Sequence, residues 1–186
     1  MSATTVGVLS PGFIGHMLAD AMLHSGHRVI WASGGRSDLT KEHAARCKGL
    51  EDVVEIGALG AYSDVIFSIC SHEAVRDVAQ MVAHTDFDGI FVDSNWIQQS
   101  EVQEYDAWLD TLFPDWVEGG VHAEGTQEEG TYQQYFLLRG ERAQTVSELF
   151  ISDRFGLPMI LTGGERVRAY KARADVKREQ ERLARG

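Results

Sequence analysis

The chain has 186 residues, 44% hydrophobic and 24% charged, a length that fits one compact domain with an appendage and enough apolar material for a full core. With 19 Gly, 3 Pro and ample Leu, Ile, Val and Phe, it is not a disordered, collagenous or proline-rich polymer. A net charge of −11 argues against a general nucleic-acid binder.

Residues 4–9 form an apolar run that predicts a strand, residues 12–24 a helix with Ile14, Met17, Leu18, Ala21 and Met22 on one side, and residues 28–32 a second strand. The alternation continues with a helix over 39–47, a short strand over 53–56 and the strongest strand of the chain over 64–70. Further on, the pattern predicts helices over 73–84, 99–112 and 143–151, and strands over 89–93, 116–121, 132–138 and 158–161, with a glycine-rich loop over 119–130. Unbroken β-branched runs between helices mean strands covered on both faces, so the expected fold is α/β, a doubly wound and mostly parallel sheet over residues 1–162. After Gly163 and Gly164 the sequence becomes a charged helical tail, 163–186, with sparse apolar positions at Val167, Tyr170, Ala174 and Leu183. Residues 165–186 carry eight Lys or Arg and four Asp or Glu, a net of +4; residues 1–164 hold the other 9 basic and 24 acidic side chains, a net of −15.

Cys47 and Cys70 lie in no CxxC pair and have no His at finger-like spacing, so both read as buried free thiols and no metal site is expected. The N-terminus has no signal-peptide pattern and no window reaches the length of a membrane span, which places the protein in the cytoplasm with no membrane partner. Trp96, Trp108 and Trp116 fit helix and strand packing, and no basic–aromatic interleaving points to a nucleic acid.

The first strand–helix turn reads Ser10-Pro11-Gly12-Phe13-Ile14-Gly15. Gly12 and Gly15 take the second and third places of a G-x-G-x-x-G pattern, with Ser10 in the first. The second glycine lets the backbone approach a pyrophosphate, the third lets helix pack on strand, and the helix N-terminus offers N–H groups to the anion. Where an NAD site places a carboxylate after the second strand, this chain has Ser33, Arg36 and Ser37, a guanidinium and hydroxyls suited to a 2′-phosphate. The expected cofactor is NADP.

The glycine turn, Ile-Trp-Ala-Ser-Gly-Gly-Arg-Ser, Phe-Ser-Ile-Cys-Ser, Phe-Val-Asp-Ser-Asn and Glu-Gly-Gly-Val together resemble the N-terminal domain of the 6-phosphogluconate dehydrogenase and β-hydroxyacid dehydrogenase superfamily, over roughly residues 4–162. The resemblance implies a Rossmann domain that carries hydride on NADP, with small hydroxy acids, carbonyls or cyclic imines as substrates. It brings Cys70, Ser71 and His72, and Asp93, Ser94 and Asn95, to the ribose and nicotinamide, at the strand ends where open α/β sheets bind ligands. Asn95 is a candidate for orienting the carboxamide or substrate, although Asp-Ser-Asn is equally ordinary turn chemistry. Gly119 and Gly120 match the family's substrate loop, and His122 takes the place of its small polar group, as a candidate proton donor against the default of a surface histidine. The family's general acid and base is a lysine early in the long helix that follows. Lys171 stands there, with Asp175 in place of the family's asparagine, and a solvated basic face is the competing reading.

The family continues into a helical domain, whereas this sequence ends at Gly186. A tail helix of about 30 Å would reach a second protomer, so a homodimer through the tail is expected. Two other functions stand beside the oxidoreductase: a non-catalytic NADP(H)-binding module or partner subunit, and a non-redox isomerase or cyclase in which His122 or Glu124 moves protons.

Overall fold

The computed structural model describes residues 3–124, 133–151, 156–161 and Val167. The expected tail over 163–186 and Lys171 lie outside the described residues, apart from Val167, which is fully buried.

The chain alternates strand and helix: β1 (Thr5–Val8), α1 (Gly15–His24), β2 (Arg28–Trp31), α2 (Asp38–Ala44), β3 (Glu51–Asp52), α3 (Ile56–Tyr62) and β4 (Val65–Ser68). There follow α4 (Val75–Ala83), β5 (Ile90–Asp93), α5 (Val102–Leu112), β6 (Val117–Glu124), β7 (Gln133–Arg139), α6 (Ala143–Ser147) and β8 (Leu157–Ile160). All strands join one sheet in the order β3-β2-β1-β4-β5-β6-β7-β8. The first six run parallel, β7 is antiparallel to β6, and β8 is parallel to β7. The order reverses between β1 and β4, the point at which such sheets open a crevice at their carboxyl ends.

Every residue of β4 and of β5 is buried, as expected of strands covered on both faces. Alternation sends Val6, Val8, Val29, Phe67 and Val92 to one face, where they meet Leu18, Ala19 and Met22 of α1 and Val146 of α6. Leu9, Ile30, Ile66 and Phe91 face the other way, onto α3, α4 and α5. On α4 the buried set Val75, Val78, Ala79 and Val82 has the i, i+3, i+4, i+7 spacing of one helix face.

Four elements differ from the sequence expectation. The strand expected over 53–56 lies earlier, at Glu51–Asp52, because Val54 takes a left-handed φ of 64° that ends the extended run. Its last residue, Ile56, instead opens α3, a helix the sequence disguises with Gly57 and Gly60. A Cβ on Gly60 would lie 2.0 Å from Thr85 Oγ1, so glycine is there for close packing rather than to make a loop. The segment read as a loop from Gly119 is strand β6 as far as Glu124, and α6 stops at Ser147 instead of reaching residue 151. Among the described residues no helix is long and apolar enough to cross a membrane.

Candidate functional site

The carboxyl ends of β1, β2, β4 and β5 meet along one edge of the sheet. At the centre, β1 runs into Leu9, whose N–H donates to Phe67 O at 3.1 Å, and the chain then turns through Ser10 and a buried Pro11 into α1. The two glycines of this turn differ. A Cβ on Gly15 would lie 2.0 Å from Ser10 O, so the close fit of helix on turn excludes any side chain. A Cβ on Gly12 would meet nothing within 4 Å, and the space above it is open. The start of α1 has no side-chain cap and no acid in its first turn; the His16 N–H donates to Gly12 O at 2.9 Å, and the positive dipole end of the helix favours an anion. Ile14 precedes α1 in helical conformation, and Phe13 is 70% exposed at the mouth of the turn.

Behind this turn, His16 and His43 lie with ring centroids 5.2 Å apart, and Phe13 sets an edge against each. His16 Nδ1 pairs with Gly12 O at 3.0 Å, and the Cys47 thiol donates to His16 O at 3.1 Å. Burial, with the charge of Asp20, pushes the Cys47 thiol up.

After β2, the N–H of Arg36 donates to Ser33 O at 3.1 Å, closing a tight turn whose third residue, Gly35, has a φ of 71°. Glycine suits that position because it bears a positive φ without strain. Ser37 is the N-cap of α2, its Oγ accepting the Thr40 N–H at 3.3 Å. Arg36 is half-buried, and its Nε finds no hydrogen-bond partner among the described residues. Its charge is felt at Cys70, beyond β1 at the end of β4. Burial pushes that thiol up, while the Ser68 hydroxyl and Arg36 pull it down and Asp93 raises it.

The ends of β4 and β5 are tied by a polar brace. Asn95 is 5% exposed. Its Oδ1 accepts the Cys70 N–H at 2.6 Å, while its Nδ2 donates to Ser68 Oγ at 2.8 Å and to Asp93 Oδ1. Tyr105 of α5 donates its hydroxyl to the same Asp93 oxygen at 3.1 Å. Both ends of the Asn95 amide are thus occupied within the protein, and its place is that of a brace beneath the site rather than a group presented to a ligand. Ser71 is exposed at the rim. Ser94 Oγ is buried without a hydrogen-bond partner among the described residues, beside Gly119, where a Cβ would come within 2.4 Å of it.

Two expectations on the substrate side need correction. Gly119 and Gly120 are buried strand residues of β6, paired with Leu138 and Leu137, rather than a loop. Pairing with β5 is confined to Val117 and Glu118, whereas β7 accompanies β6 to Glu124, so the two strands run on past the end of β5. His122, expected on a surface loop, is 3% exposed on this extension, in register with Tyr135. Trp96, expected to pack inside, is 66% exposed beside His72, whose ring lies 5.6 Å away. His72 in turn reaches Glu101 at 3.9 Å. The structure brings residues 10–15 and the Cys70 strand end to one crevice, with the Arg36 turn after β2 along the same edge of the sheet; Lys171 lies outside the described residues.

Sequence reasoning missed three contributors. Tyr105 reads as one more apolar position of an amphipathic helix, and His43 as a solvated residue of α2. Asp52 falls outside any motif because β3 was expected to start two residues later.

No protein-family model matches the sequence, and no curated protein does. Solved structures do. An imine reductase from Myxococcus stipitatus in complex with NADP+ is 16% identical, with a TM-score of 0.71 over 96% of this chain and 62% of that one. The fold it shares with this chain is the Rossmann-like α/β fold. A reductive aminase from Aspergillus terreus, in complex with NADPH and ethyl levulinate, is 16% identical and gives a TM-score of 0.65 over 98% of this chain and 63% of that one. A conserved protein of unknown function, described as structurally similar to 3-hydroxyacid dehydrogenases, is 21% identical with a TM-score of 0.64 over 94% and 62%. The chain thus spans about three fifths of the length of the solved chains it matches.

Proposed function

We propose that this protein binds a nicotinamide dinucleotide, NADP(H) in preference to NAD(H), in the β1–β4 crevice, and serves an oxidoreductase acting on a small carbonyl, hydroxy acid or imine. The observation that carries the reading is the contrast between the two glycines. Gly15 is required by the protein's own packing, while the bare face of Gly12 looks into open space beside an uncapped helix N-terminus. Protein sterics do not call for glycine there; a pyrophosphate lying against the backbone does. Arg36, whose Nε has no hydrogen-bond partner among the described residues, is the group for the 2′-phosphate, assisted by Ser33. The buried Ser94 hydroxyl and the Cys70–Ser71 strand end flank the ribose and nicotinamide.

When bound, the nicotinamide ring supplies or accepts the hydride. The chain's own residues hold the dinucleotide and keep the strand ends rigid through Asn95. Lys171 remains the proposed proton donor, with His122 on the extension of β6 as the alternative. A binding module without turnover is the second reading, since the bare Gly12 and the uncapped start of α1 serve dinucleotide binding whether or not hydride is transferred.

The test is a titration of the protein with NADPH and with NADH, followed by ligand fluorescence and by the thermal midpoint, on wild type and Arg36→Ala. A preference for NADPH that Arg36→Ala abolishes is the expected result. Binding of neither cofactor overturns the proposal.

A further inference from the structure

We propose that Asp52, at the tip of β3, is a positioning residue that holds the turn over residues 33–36 in the shape needed for a 2′-phosphate, and so sets the choice between phosphorylated and unphosphorylated dinucleotides. This rests on the dinucleotide reading above. In a sheet of this kind a carboxylate at the end of the second strand ordinarily accepts the ribose 2′-hydroxyl. Here the carboxylate stands one strand over and is turned onto the backbone. Asp52 Oδ1 accepts the N–H of Ser33 at 3.1 Å and that of Val54 at 2.8 Å.

Val54 completes the clamp. Its carbonyl accepts the Gly34 N–H at 2.8 Å, and a Cβ on Gly34 would sit 2.8 Å from that same oxygen. Val54 holds this position at a φ of 64° although its side chain is β-branched and 50% exposed. A left-handed backbone is strained for an L-residue, and an exposed side chain recovers little of that strain by packing. What offsets the strain is the pair of hydrogen bonds that tie Val54 to Asp52 and to Gly34. Strain retained at a rim, held by polar contacts alone, marks a segment whose shape matters.

With Gly35 at positive φ and the Arg36 N–H on Ser33 O, the backbone from Ser33 to Arg36 is fixed on both sides. Arg36 closes this turn. The carboxylate that would recognise a 2′-hydroxyl is occupied in building the site that excludes the need for one. Lys41 also faces Asp52, so the acid is balanced locally and does not repel the incoming phosphate alone.

The experiment compares 2′,5′-ADP with 5′-ADP by titration calorimetry on wild type, Asp52→Ala and Asp52→Asn. Loss of the acceptor should weaken 2′,5′-ADP by about tenfold while 5′-ADP changes by less than about twofold. Asparagine keeps an oxygen in the same place and should restore most of the difference. Gly34→Ala, which presses on the Val54 carbonyl from the other side of the clamp, should shift the same ratio and serves if Asp52→Ala does not fold. Equal losses for both nucleotides, or an unchanged ratio in these variants, overturn the inference while leaving the dinucleotide reading intact. A wild-type protein that binds neither nucleotide overturns both.

Discussion

Gly12 and Gly15 stand three residues apart and answer to different demands. A side chain at 15 collides with the Ser10 carbonyl, so Gly15→Ala should lose about 1–3 kcal/mol of stability, read as a lowered midpoint in urea. Gly12→Val fills open space, so its midpoint should stay near wild type while dinucleotide affinity falls at least tenfold; that pairing of outcomes is the check. At Val54, asparagine accepts a positive φ more readily than a β-branched residue, and Val54→Asn should raise stability by about 0.5–1 kcal/mol in the same assay. Asp52 also sets a pH dependence. Burial works to raise its carboxyl, but the Ser33 hydroxyl, the backbone N–H groups of Val54 and Ser33 and the charge of Lys41 together hold it below the ordinary range. Its stabilising contribution is therefore complete above the unfolded pKa of about 4 and is lost as pH falls through the lower folded value. Asp52→Asn should flatten that part of an acid-unfolding profile. Gly12, Gly15 and Arg36 were legible because they sit in a contiguous motif at a strand–helix turn. Asp52 was not, because its role depends on which residue of β3 pairs with Trp31, a register that no local pattern specifies.

At the level of elements, the end of β4 is held to the end of β5 by one buried amide. Asn95→Ala leaves the Cys70 N–H without its acceptor and should cost about 1–3 kcal/mol, seen in denaturant unfolding together with faster modification of Cys70. In the intact protein burial pushes both thiols up, so Cys70 and Cys47 should react slowly with a thiol reagent near neutral pH. Bound NADPH should slow Cys70 further and leave Cys47 unchanged, as mass-spectrometric mapping would show. The strands of the parallel half were readable because they are continuous apolar runs. Helix α3 and the far end of strand β6 were not, and for one reason: Gly60 and Gly119 look like chain breakers in sequence but are demanded by neighbours, Thr85 and Ser94, that only the fold brings near.

Across the whole molecule, strand order sets a gradient of stability. β1, β4 and β5 lie inside the sheet and under helices on both faces, whereas β3 at one edge has only two residues. Hydrogen exchange should be slowest at Val6, Ile66, Phe67 and Val92 and markedly faster along β3 and β8. The clamp on residues 33–36 is an exception to that gradient, a rim segment held as firmly as its frail edge strand allows. A segment already in its bound shape has little ordering left to do when ligand arrives. Association should accordingly be a single fast phase, linear in ligand concentration and without a slow rearrangement, and discrimination between dinucleotides should reside in how long each one stays.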